Sequence, residues 1–84
     1  MTVKEKMRER LVECGMFDEE ADEVLVRVRE AKENEFMLAD WNRQTDGYPD
    51  TFLVVLWVTV RKAALAWIDE HCPDARYRSM VECG

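Results

Sequence analysis

The sequence predicts an all-α domain, a compact bundle of about four helices around one long, largely buried helix at about residues 49–71. Three observations carry this expectation. The segment 52–71 reads FLVVLWVTVRKAALAWIDEH, apolar around most of a helical circumference and therefore in need of cover on several sides. Two upstream segments carry apolar residues at i, i+3, i+4 and i+7, the spacing of helices with one buried face. Three glycines and two prolines are too few for a turn-rich β fold.

The first helix is expected from about Thr2 to Cys14. Thr2 and Glu5 have the spacing of a capping box, Val3, Met7, Leu11 and Cys14 share one face, and Gly15 stands where a helix commonly stops. Asp18 then offers an N-cap, with Glu19 and Glu20 in a first turn whose dipole favours carboxylates. Ala21, Val24, Leu25, Val28 and Ala31 form the stripe of a second helix ending near Glu33. Phe36, Met37, Leu38, Ala39 and Trp41 fit a short third helix within 35–43, and Asp46-Gly47 reads as a turn. Pro49 suits the first position of the long helix. On that helix Leu53, Leu56, Trp57, Val60, Ala64, Trp67 and His71 share one face, flanked by Val54, Val58, Leu65 and Ile68, and only a narrow strip through Thr59, Lys62, Asp69 and Glu70 is polar. One more turn is expected at 74–78.

Eighty-four residues make a single domain, 1–84, near the size at which one core is barely sufficient. A net charge of −6 argues against direct nucleic-acid binding and against an anionic membrane surface. The charge is uneven: residues 1–46 hold 13 acids and 8 bases, residues 47–84 hold 5 and 4. The N-terminus lacks the apolar run of a signal peptide, Phe52 to Val60 is too short to span a bilayer, and Arg61-Lys62 interrupts its continuation, so a soluble protein is expected. Cys14, Cys72 and Cys83 fit neither a disulfide framework nor a zinc pattern, and reduced thiols in a cytosol are the simple reading.

Candidate functional residues follow from charge and aromatic content. Asp18 to Glu23 is the densest acidic run; Glu19, Glu20, Asp22 and Glu23, with Glu30 further along, make an anionic face for a basic partner, against the plainer reading of a solvated helix start in which Glu23 pairs with Arg27 at i+4. Trp57 and Trp67 are read as core, whereas Trp41 and Tyr48 flank a polar loop and are expected to face a partner, since aromatic side chains dominate binding hot spots. His71 and Cys72 with Cys14 or Cys83 lack the paired spacing of a structural zinc site, so no metal and no cofactor is expected. One histidine, one serine and no glycine-rich phosphate loop give no catalytic constellation, and an enzyme is not expected.

The block Gly47-Tyr48-Pro49, Val55-Leu56-Trp57, Ala64 to Asp69 and Cys72 to Met80 resembles small uncharacterised proteins of bacterial phages and prophages over the last two-fifths of the chain. The resemblance implies a mobile-element origin and a bacterial cytoplasm, and no functional residue comes with it. Short acidic phage proteins often bind and block a host protein; to anti-CRISPR and other anti-defence proteins this chain is similar in size and charge only. The expected function is thus an inhibitor whose acidic face covers a basic, nucleic-acid-binding surface of a host protein. The alternative is a homo-oligomeric structural or adaptor module, with a homodimer formed through residues 52–68.

Overall fold

A computed structural model describes residues 1–31 and 41–71 of the chain. The protein is all-α, and the described residues contain three helices: α1 (Val3–Glu13), α2 (Asp18–Ala31) and α3 (Asp50–His71). Residues 35–40 of the expected short helix, and the turn expected at 74–78, lie outside the described residues. Trp41 to Arg43, its last three positions, form a turn rather than a helix.

Local signals set both ends of α1. The Thr2 hydroxyl accepts from the Glu5 N–H at 3.2 Å while the Glu5 carboxylate accepts from the Thr2 N–H at 3.0 Å, so both halves of the capping box form. At the other end Gly15 adopts φ 105°, the Gly15 N–H donates to the Val12 carbonyl and the Met16 N–H to the Leu11 carbonyl. These are the two bonds of a Schellman stop, and its usual apolar contact is supplied by Met16 and Leu11, both buried. In α2 the Ala21 N–H donates to the Phe17 carbonyl, which makes Phe17 the cap and moves Asp18 from the expected cap into the first turn. Similarly Pro49 caps α3 with its carbonyl, accepting from Phe52 and Leu53.

The segment from Trp41 to Thr45 folds back on the start of α1. The Val3 N–H donates to the Arg43 carbonyl at 2.8 Å and the Lys4 N–H to the Trp41 carbonyl at 3.0 Å, while Thr2 and Gln44 form an antiparallel bridge. First-turn N–H groups have no partner inside their own helix, so this loop completes what the capping box leaves open. Beyond it a turn closes through the Tyr48 N–H and the Thr45 carbonyl, with Gly47 at φ 78° where a side chain would be strained.

The core forms where α1 and α2 meet one side of α3. Val3, Met7, Leu11 and Cys14 from α1 and its end, Ala21, Val24, Leu25 and Val28 from α2, and Leu56, Trp57, Val60, Ala64, Trp67 and Ile68 from α3 are all buried. Arg10 crosses the Trp57 ring at 4.6 Å, a cation–π contact that covers the edge of this core. Among the described residues no polar or charged side chain is buried, and no buried side-chain nitrogen or oxygen lacks a partner.

Helix α3 is central but not largely buried, contrary to expectation. Phe52, Val54, Val55 and Val58 are 51, 58, 45 and 49% exposed, because α1 and α2 both lie against the face opposite these valines. Over its full 22 residues α3 also has the length and composition to cross a membrane, since Arg61 and Lys62 are its only charges between Thr51 and Ile68. In this fold its buried residues instead form one protein-covered face.

Candidate functional site

A cleft of about 450 Å³ lies between α2, along Asp22 to Glu30, and the last turn of α3. Helix α2 supplies Asp22, Glu23, Val26, Arg27 and Glu30, which recur on one face at intervals of about one turn. Helix α3 supplies Trp67 and His71, one turn apart. Their rings stack with centroids 4.6 Å apart and planes 12° from parallel, and His71 Nδ1 lies 3.0 Å from the Trp67 carbonyl oxygen.

Two contacts fix the walls. Trp67 Nε1 donates to Glu23 Oε2 at 2.8 Å, which gives a buried indole its polar partner and draws the Glu23 carboxylate over the cleft. Arg27 Nη2 donates to Glu70 Oε2 at 2.8 Å, and this hydrogen bond holds the Glu70 carboxyl below the usual carboxylate range. The expected pairing of Glu23 with Arg27 along the helix is thus replaced by two pairings across the helix interface. Each residue finds a closer partner on α3 than on its own helix.

The expected partner-facing residues are placed as follows. Asp22 is held by Arg8 of α1, with Nε to Oδ1 at 2.7 Å and Nη2 to Oδ2 at 3.3 Å; the hydrogen bond lowers the Asp22 pKa and raises that of Arg8. Arg8 also stands 3.8 Å from Asp18, so the start of α2 is partly neutralised from within. Glu20 accepts from the Phe17 N–H at 2.9 Å and serves the helix cap. Glu19, Glu23 and Glu30 are exposed. Glu20 and Asp22 thus have structural partners, Glu19 stays exposed in the first turn of α2, and Asp22, Glu23 and Glu30 line the cleft.

Trp41 and Tyr48 do not face outward. They are 6 and 8% exposed and belong to the core, because the loop that carries them is pinned to the start of α1 through the Trp41 and Arg43 carbonyls. Tyr48 meets Phe52 edge-on, with ring centroids 5.9 Å apart. Trp67 and His71 join the site instead. Their i, i+4 spacing is visible in the sequence, but only the crossing of α2 over α3 brings Glu23 to the indole.

The carboxylates of Asp22, Glu23 and Glu30 line the cleft with Val26, Arg27 and the Trp67–His71 stack, and carboxylates beside apolar surface suit cationic side chains with apolar stems. Among the described residues, no three His, Cys, Asp or Glu side chains come together to hold a metal ion. Cys14 is buried in the core, and Cys72 and Cys83 lie outside the described residues. Comparison with known proteins finds no matching family model, no similar curated sequence and no similar solved structure.

Proposed function

We propose that this chain is a non-catalytic, protein-binding module that docks a basic segment of another protein in the cleft between α2 and α3. The observation that carries the reading is the grouping of Glu23 and Glu30 with Val26, Trp67 and His71 around one concavity. An acidic chain with a pI of about 4.7 would attract such a partner at long range, and the carboxylates would orient it on contact. In the phage setting suggested by the resemblance, the partner is a bacterial host protein in the cytoplasm. Covering its nucleic-acid-binding surface would make this chain an inhibitor of the anti-defence kind.

The test is affinity capture from bacterial lysate, followed by titration of the captured protein against single variants. Glu30→Lys places a cation on the cleft wall without touching the core, and it should weaken binding by about tenfold or more. Wild-type binding should also weaken as salt is raised from 50 to 500 mM. Equal affinity of the wild type and the Glu30→Lys variant for every captured protein would refute the cleft reading.

A further inference from the structure

The exposed side of α3 is the largest feature that the cleft does not use. Val54, Val55 and Val58 point away from the core, and Phe52 borders them beside Tyr48. Helix stability does not account for them. Valine is a poorer helix former than alanine or lysine by about 0.5 kcal/mol per residue, so three exposed valines within five positions weaken the helix they sit in. Contact with a second surface does account for them, because branched side chains at a, d and e spacing are what a helix seam uses.

The charges around the strip identify the second surface. With 100° and 1.5 Å per residue, Thr51, Val54, Val55 and Val58 lie along one seam, and Val54 and Val58 stand symmetrically about the level of Leu56. Asp50 lies about 9 Å to one side of that level and Arg61 about 7.5 Å to the other, both on the same flank of the seam. In a copy packed in parallel the two-fold runs along the helices and carries each flank to the opposite side of the seam, so neither Asp50 nor Arg61 would meet a charged partner there. An antiparallel copy, related by a two-fold axis level with Leu56, places Val54 over the partner's Val58, Val55 against the partner's Val55, and Asp50 beside the partner's Arg61. The same two-fold repeats each contact, as an isologous interface requires.

We infer that α3 is a self-association helix, and that two copies of this chain pair antiparallel through Val54, Val55 and Val58 with Asp50–Arg61 ion pairs at both ends. The inference does not rest on the cleft reading. The cleft uses Trp67 and His71 on the opposite side of α3, so a dimer would carry two clefts facing away from its axis.

Sedimentation equilibrium of the full chain from about 1 to 200 µM reads the association directly, and circular dichroism confirms that each variant keeps its fold. The wild type should pass from monomer to dimer with concentration. Val58→Glu, at an exposed position, should remain monomeric and folded. Asp50→Arg should weaken the dimer by about tenfold, and the double exchange Asp50→Arg with Arg61→Asp should restore most of that loss, because each swapped charge again meets its opposite. A wild type that is monomeric throughout overturns the inference, as does a Val58→Glu variant that dimerises like the wild type. Failure of the double exchange to recover affinity overturns the antiparallel register.

Discussion

Trp67 Nε1 donates to Glu23 Oε2 at 2.8 Å, joining residues 44 positions apart and locking α2 onto the end of α3. The bond serves fold and site together. It satisfies the one polar atom of a large buried ring, and it holds a carboxylate at the cleft. Stability and partner binding should therefore respond differently to changes at these two positions.

Glu23→Ala leaves the indole N–H without its acceptor and should cost about 1 kcal/mol, whereas Glu23→Gln keeps an acceptor and should cost less than half of that. Trp67→Ala removes the ring itself and should cost about 3 kcal/mol or more. Urea denaturation of the three variants gives the order. If Glu23→Gln is as damaging as Glu23→Ala, charge rather than the hydrogen bond holds the helices.

Acid should loosen the fold through carboxylates that the native state keeps ionised. The Thr2 N–H and hydroxyl lower the Glu5 pKa, Arg8 lowers that of Asp22, and Arg27 lowers that of Glu70. A depressed pKa adds stability above the unfolded-state value, about pH 4, and that stability is lost as pH falls through the depressed values. The urea midpoint should be flat from pH 7 to 5 and fall below pH 4. Arg8→Gln should make the acid limb shallower, and an unchanged limb would show that the Asp22 contact does not contribute.

Thr2→Ala removes the hydroxyl that caps α1 and should lower stability by about 1 kcal/mol, measured by thermal melting. The Trp41 and Arg43 carbonyls still occupy the neighbouring N–H groups, so the helix should start at the same residue. Fraying of the whole first turn, seen as fast amide exchange at Lys4 and Glu5, would mean that the cap and the loop act as one unit.

Gly47→Ala should cost about 1 kcal/mol from the positive φ alone, since nothing lies within 4 Å of an added Cβ. Gly47→Asn should recover part of it, because asparagine tolerates this conformation. An equal loss for both, read from the same melts, would point to a clash rather than to backbone strain.

Features decided by near neighbours in the chain were the legible ones. The Thr2–Glu5 box, the stop at Gly15 and the stripe Ala21, Val24, Leu25, Val28 each involve residues within two turns, and they stand in the structure where the spacing put them. The burial of Trp41 and Tyr48 was not legible, because it depends on a loop returning about forty residues later to the start of α1. Periodicity likewise marked Val54 and Val58 as flanking an apolar face without showing that both covering helices pack on one side. In the cleft, the i+4 spacing of Glu23 and Arg27 was a misleading local signal, and the long-range partners Trp67 and Glu70 displaced it.

The breadth of apolar surface on α3 also has a consequence before the fold exists. Between Thr51 and Val60 the chain has ten residues without a charge, and an unfolded molecule presents that stretch to whatever it meets first. Nascent chains released slowly or at high concentration would meet chaperones, bilayers or one another before α1 and α2 close over it. Yield in recombinant expression should therefore depend more on the speed of that closure than on the depth of the native energy well.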